Sequence, residues 1–191
     1  MIEEYYPSKV WKHCQYCGSQ DISWGHGTHK MFCNTCSKPF FINAAAAVIA
    51  LIRNSEGKFL FTRRKNEPAS GKLDFPGGFV NLEERSEDAV IREVKEELDL
   101  DVTKVTYYTS MPNRYLYSGI VYFTLDLVYI CEYEDLSGIS ANDDISDFVF
   151  LDINDVKSED LGLESVKKIV GNLKGFKNLK GFKDLKIIGQ S

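Results

Sequence analysis

From Asn43 onward, apolar and polar residues alternate in short strand-like runs, interrupted by one segment with helical spacing. AAAAVIALIR and KFLFTRR, separated by the turn NSEG, predict a hairpin, and KLDFP a short extended piece. TKVTYYTSMP, YSGIVYFTLDLVYICEY and DISDFVFLD predict later strands. Between them, residues 89–98 are sound helix formers, with Ser86 as the predicted N-cap and Glu87 and Asp88 at the positive end of the dipole. A second helix is predicted over about 163–173, with Leu163, Val166, Val170 and Leu173 on one face. The arrangement predicts an α/β fold, a mixed sheet with helices packed against it. Cys131, inside the LVYICEY strand, is expected to be a small buried hydrophobe.

Before Asn43 the pattern is different. Cys14-x-x-Cys17 is followed after fifteen residues by Cys33-x-x-Cys36. This is the spacing of a zinc ribbon, in which two knuckle turns each offer two thiolates to one tetrahedral Zn²⁺. Gly18 relieves the backbone of the first turn. With four protein ligands the metal has no open position, so Zn²⁺ here is expected to be structural. The 191 residues suffice for one domain with a full core plus a small module, giving a division into a ribbon at 1–41, a main domain at 42–172 and a tail at 173–191.

Charge narrows the partners. The net charge is −5, and residues 173–191 hold five Lys against one Asp, so the preceding residues carry −9. A nucleic acid is therefore an unexpected principal partner, and an acidic body needs a metal ion before it can hold a phosphate. Lys12, Lys30 and Lys38 form no dense basic stripe on the ribbon. No apolar run reaches the roughly 20 residues that span a bilayer, and the first residues lack a signal-peptide pattern, so a cytoplasmic protein without a membrane partner is expected. The tail repeats LKGFKN as LKGFKD; its apolar positions recur every three residues and drift around a helix, which suits a solvated tail or a partner, dimer or anionic surface.

The chemistry is concentrated in GGFVNLEERSEDAVIREVKEELDL, residues 77–100. At about 100° per residue from Glu93, Glu97 lies near +40° and Glu96 near −60°, with Val94, Leu98 and Ile91 between about +100° and +160°. One side is expected to face the core and the other to carry three carboxylates. Like charges at this spacing cost roughly 0.2–0.5 kcal/mol per pair. Their clustering makes sense beneath a hard cation, because Mg²⁺ takes one or two carboxylates, waters and phosphate oxygens.

The surroundings make this sharper. Gly78 is followed after five residues by Glu84, then after seven by Arg92-Glu93-Val94-Lys95-Glu96-Glu97-Leu98-Asp99-Leu100. This resembles the box of the Nudix hydrolases, G-x5-E-x7-R-E-U-x-E-E-x-G-U, where U is aliphatic. Asp99 stands where the family has Gly, at or near the helix C-terminus, where a left-handed conformation is common. Arg64-x3-Pro68-x2-Gly71 and Asp74-Phe75-Pro76-Gly77-Gly78-Phe79 also resemble the family, over about residues 43–155. The resemblance implies an α/β/α sandwich around a mixed sheet and Mg²⁺- or Mn²⁺-dependent hydrolysis of nucleoside diphosphates linked to another group. It further implies Glu93, Glu96 and Glu97 as metal ligands, joined by the Gly77 carbonyl, with Glu93 a candidate base and Arg92 and Glu84 an orienting ion pair. Asp144, in Asn142-Asp143-Asp144-Ile145-Ser146, matches the region of a further family carboxylate, with a strand-entry turn as the alternative. Arg64 is the better phosphate-binding candidate of the Arg63/Arg64 pair, with a solvent-facing arginine on a strand end as the alternative.

A ribbon ahead of such a domain resembles the NADH pyrophosphatase branch, whose Ser-Gln-Pro-Trp motif follows the box. Here Ser110-Met111-Pro112-Asn113 keeps Ser and Pro without Trp. Tyr115 and Tyr117 are candidates for stacking on a base or flavin ring, or for packing. NADH, FAD and ADP-ribose are the small-molecule nucleotide substrates expected, cleaved to two monophosphates, with a homodimer compatible. The alternatives are a nucleotide-sensing regulator whose ribbon binds nucleic acid, and a nucleoside triphosphate house-cleaning pyrophosphatase.

Overall fold

The computed structural model describes residues 2–26 and 29–175. The chain divides into two compact units: Met1–Ala44 with Arg114–Phe123, and Ala45–Asn113 with Thr124 onward. The tail repeat beyond Gly175 lies outside the described residues.

In the first unit a short helix α1 (Pro7–Val10) precedes three antiparallel strands in the order β1 (Ile22–Trp24), β2 (Lys30–Cys33) and β3 (Pro39–Phe41). Met31 and Cys33 are fully buried while the alternate Lys30 and Phe32 are exposed, the period-two pattern of a sheet covered on one face. Trp11 packs on Trp24 and on Phe40, with ring centroids 6.2 and 5.5 Å apart.

The second unit is built on β4 (Ala45–Leu51), β5 (Phe59–Arg64), β6 (Leu73–Asp74), α2 (Ser86–Leu98), β9 (Ile145–Leu151), α3 (Glu164–Gly175) and the greater part of β7 (Val102–Tyr117) and β8 (Ile120–Tyr133), whose residues 114–123 are counted with the first. Its strands form two three-stranded sheets, β4-β8-β7 and β6-β5-β9. β4 runs parallel to β8, which makes the first sheet mixed. The expected hairpin of β4 and β5 is corrected here. Pairing between them narrows to the bridge Arg53↔Phe59 beside the turn, and the two strands then diverge into different sheets. β7 also continues through Pro112 to a two-residue turn at Ser118-Gly119, so the predicted break at Pro112 is absent.

The divergence leaves β4 covered on both faces, which is why it reads as a continuous apolar run. Ile49 and Leu51 join Phe61, Val128 and Ile130 against Val166, Ile169 and Leu173 of α3. Val48, Ala50 and Ile52 join Leu60 and Tyr129 against Val90, Val94 and Leu98 of α2. Full burial of a Val94 or a Leu98 contributes about 1.5–3 kcal/mol. Cys131 is buried in the second cluster, as expected of it. Among the described residues no helix is long and apolar enough to cross a membrane.

Candidate functional site

The segment leading into α2 is held against the edge of β4. Val48 and Ala50 donate to the carbonyls of Gly78 and Pro76 at 2.8 Å each, and Val80 donates to Ala46 at 3.1 Å. The approach admits no side chain at two positions. A Cβ on Gly77, whose φ is 150°, would lie 2.0 Å from the Val48 carbonyl oxygen, and one on Gly78 would lie 2.5 Å from the Glu93 carboxylate. The paired glycines therefore let the loop touch β4 on one side and let Glu93 lie on the loop.

Ser86 is not the N-cap. Arg85 occupies that position without a side-chain cap bond, and the Ser86 hydroxyl is within 2.7 Å of the Tyr129 hydroxyl, tying the first turn to β8. At the other end Asp99 adopts the left-handed conformation, φ 52° and ψ 30°, and its N–H donates to Lys95 O. The next free carbonyls of the helix, those of Glu97 and Leu98, accept from Asn142 N at 2.8 Å and Ser140 N at 3.0 Å. Helix termination thus recruits the 140–144 loop.

The buried face of α2 differs from expectation. Ala89, Val90, Val94, Glu97 and Leu98 are buried, whereas Ile91 is 37% exposed. The core-facing arc is therefore centred near about +60° from Glu93 rather than on the far side. Glu97, expected on an exposed acidic face, lies inside that arc and is only 6% exposed. Burial lifts its carboxyl to about 9, opposed by the Gly77 N–H that donates to it at 3.2 Å and reinforced by Asp74, Glu93 and Asp144. Glu93 is also raised, first by burial. Glu96 remains largely exposed.

Arg92 organises the carboxylates. It makes a two-point bond with Glu84, at 2.8 and 2.9 Å, and reaches Glu93 at 2.7 Å, Glu96 at 3.0 Å and the Phe79 carbonyl at 3.0 Å. The guanidinium holds Glu84 down to about 2. Arg64 is engaged as well, donating to Asp74 and to the Pro68 carbonyl at 2.7 Å each. Asp74, buried and 7% exposed, has a raised pKa because desolvation outweighs Arg64. Asp144 accepts from Asn66 at 2.9 Å and Lys65 reaches the Asp143 carbonyl. The charge of Asp143 acts on Glu93 and that of Asp144 on Glu97.

Seven carboxylates (Asp74, Glu84, Glu93, Glu96, Glu97, Asp143 and Asp144) thus meet three basic side chains, Arg64, Arg92 and Lys65. A buried carboxylate with one backbone donor and three like-charged neighbours is an arrangement whose charge a divalent cation would compensate where the arginines do not. Asp74 and Asp143 stand in segments that resemble the family but are not among the site residues expected from the sequence. Neither belongs to the periodic stripe, and only the β6 pairing and the helix-capping loop bring them in.

Cys14, Cys17, Cys33 and Cys36 converge in the first unit with all sulfurs within 4.8 Å of one another. The Cys14–Cys36 and Cys17–Cys33 separations are 3.7 and 3.6 Å. Four thiolates about 2.3 Å from a tetrahedral Zn²⁺ are separated by about 3.8 Å, so the set fits that ion and is too open for disulfides. The N–H groups of Tyr16 and Cys36 point at Cys14 and Cys33 Sγ at 3.4 Å, and the Cys36 N–H heads the influences that lower Cys33 to about 6. Gly18 and Ser37, each just after a C-x-x-C pair, have positive φ of 74° and 57°.

Tyr115 and Tyr117 belong to the first unit, and the carboxylates to the second. Tyr115 stacks on Tyr122 with centroids 5.9 Å apart, and Tyr117 meets Tyr122 at 6.3 Å.

Residues 43–170 match the NUDIX domain family, and with about two thirds of its length inside that match the chain belongs to the Nudix hydrolase family. It is 33% identical over 120 residues to the ADP-ribose pyrophosphatase of Methanocaldococcus jannaschii, covering 61% of this chain and 66% of that protein. It is 31% identical over 131 residues to the NAD-capped RNA hydrolase NudC of Shigella dysenteriae, covering 65% of this chain and 47% of that protein. The chain thus spans under two thirds of the first and about half of the second. The crystal structure of a Nudix hydrolase from Nitrosomonas europaea has the same fold, with a TM-score of 0.59 at 18% identity over 83% of this chain and 87% of that one.

Proposed function

We propose that this protein is a divalent-metal-dependent pyrophosphohydrolase that cleaves a nucleoside diphosphate conjugate of the NADH, FAD or ADP-ribose type into two monophosphates. The observation that carries the reading is Glu97. A carboxylate buried beside Asp74, Glu93 and Asp144 is destabilised unless a cation shares the site, and it stands in the family's own box. Names of two relatives, an ADP-ribose pyrophosphatase and an NAD-capped RNA hydrolase, point to the same kind of bond.

In this reading Glu93, Glu96 and Glu97 hold Mg²⁺ or Mn²⁺, with the Gly77 carbonyl and Asp144 as further ligands. Bound there, the metal would neutralise the pyrophosphate and lower the pKa of a coordinated water. Arg92 positions Glu93 and Glu96 from behind, anchored by Glu84. Glu93, resting on Gly78 with its pKa raised by burial, is suited to accept the proton of the attacking water at its carboxylate. Arg64, fixed by Asp74, offers its remaining donor to a phosphate oxygen. The four cysteines hold Zn²⁺ that maintains the ribbon.

The test is product analysis after incubation with Mg²⁺ or Mn²⁺ and, separately, NADH, FAD, ADP-ribose and nucleoside triphosphates. AMP plus a second monophosphate is the expected result. Pyrophosphate released from a triphosphate, or no turnover of any compound, would overturn the reading.

A further inference from the structure

β8 carries a buried polar pair that the chemistry above does not use. Asp126 and Thr124 are each 4% exposed, and the Thr124 hydroxyl donates to Asp126 Oδ1 at 2.7 Å. Alternation places both on the face of β8 that carries Val128 and Ile130, yet here the apolar series gives way to a carboxylate. No basic side chain is paired with Asp126 among the described residues, and a buried carboxylate with a single hydroxyl donor is under-solvated.

A second polar side chain is turned to the same place. The two-residue turn has positive φ at Ser118 (48°) and Gly119 (78°), the geometry of a tight hairpin, which sets Tyr115 opposite Tyr122, as their stacked rings show. Continued two residues along the same face, the register puts Asn113 opposite Thr124, with Cβ atoms about 4.5–5.5 Å apart. Asn113 is 7% exposed, and its Oδ1 has no hydrogen-bond partner among the described residues. Inward positions of β7 are even at Tyr108 but odd at Met111 and Asn113, so the strand carries an extra residue between them that re-aims Asn113 inward. An unpaired buried amide oxygen costs stability that a structural role does not explain.

The location is next to the reacting centre. In register, Asp126 lies beside Ala47 of β4, and Ala47 pairs on its other edge with Phe79, so the Gly78-Phe79 segment is two strand spacings, about 10 Å, from Asp126. Asp74 links the two electrostatically, since the charges of Asp126 and of Arg64 both act on it and it acts in turn on Glu97.

The open functions here are acceptors, one carboxylate oxygen and one amide oxygen, so the ligand they match is a pair of adjacent donors. We infer that Asp126, oriented by Thr124 and assisted by Asn113, is a specificity-determining residue that reads the vicinal hydroxyls of a ribose. The inference rests on the proposed nucleotide hydrolase reading, in which the ribose is the group joined directly to the phosphate.

Calorimetric titration with ADP, 2′-deoxy-ADP, 3′-deoxy-ADP and inosine diphosphate in the presence of Mg²⁺ tests it. The wild-type protein is expected to bind ADP about tenfold or more tighter than either deoxy form. In Asp126→Asn the preference falls to about twofold or less while affinity for the deoxy forms and the melting temperature hold. Asn113→Ala, which removes the unpaired amide oxygen, is expected to keep a melting temperature near that of the wild type and to lose part of the preference. Equal binding of ribo and deoxy forms by the wild type, or an undiminished preference in both variants, overturns the assignment. Discrimination only against inosine diphosphate overturns it in favour of a base amine. Turnover of ADP conjugates without ribose preference sinks this subsite alone; ribose preference without turnover sinks only the hydrolase reading.

Discussion

Glu97→Gln separates the two consequences of burying a carboxylate. Without a divalent cation, the folded protein keeps the Glu97 proton to about 9, against an unperturbed value of 4.5, and the unfolded chain releases it near the latter. The folded state therefore binds the extra proton, and the stability this contributes is fully present below about 4.5 and lost as pH rises to about 9. Between pH 6 and pH 8 the slope of about 1.4 kcal/mol per unit amounts to ~3 kcal/mol, or about 5–10 °C in melting temperature for a protein of this size. Glutamine has the shape of the protonated form and cannot ionise, so that slope is absent from the variant. In protein dialysed free of Mg²⁺, thermal melts across this range are expected to diverge, the wild type losing stability relative to the variant as pH rises. Added Mg²⁺ restores the wild type, most at high pH, leaves the variant nearly unmoved, and supports turnover only in the wild type. Parallel pH profiles for the two proteins, or unimpaired metal-dependent turnover in the variant, would refute the reasoning.

Three further substitutions probe other parts of the argument. Gly78→Ala places a methyl group against the Glu93 carboxylate, at 2.5 Å before relaxation, and is expected to lower kcat sharply while the circular dichroism spectrum is retained; wild-type turnover would show that Glu93 need not rest there. Asp99→Gly relieves a left-handed residue at φ 52° and should raise stability by up to about 1 kcal/mol in urea titrations, less whatever the exposed Lys95 pair contributes. Cys33→Ser removes one of four converging thiols; loss of stoichiometric zinc by atomic absorption, with proteolysis confined to the first 44 residues, is expected, and full zinc retention would overturn the ligand assignment.

The candidate chemistry was more legible than the fold that carries it. Cysteine spacing and the box from Gly78 to Leu100 are local patterns, and each demands a particular donor set wherever the chain goes. Asp99 was readable as a left-handed terminus for the same reason, since the helix had to stop before the next strand. The β4–β5 hairpin misled because adjacency in sequence and a turn signal imply pairing, while divergence after the Arg53↔Phe59 bridge depends on what each strand meets later. Ser86 misled similarly: its hydroxyl finds Tyr129, 43 residues away, in place of its own helix.

By itself, the sequence determined which residues are chemically able to act: four thiols in two knuckles, three glutamates on one helix, two glycines before them. Only the tertiary structure decided how each behaves. Helical spacing states angles between side chains but not which direction is inward; packing of Val90, Val94 and Leu98 on β4 rotated Glu97 into the core and so raised its pKa. Asp74 and Asp143 come from distant segments, and strand pairing and a helix-capping loop bring them in. Burial and electrostatic proximity are sums over neighbours far apart in the chain, which no local pattern contains.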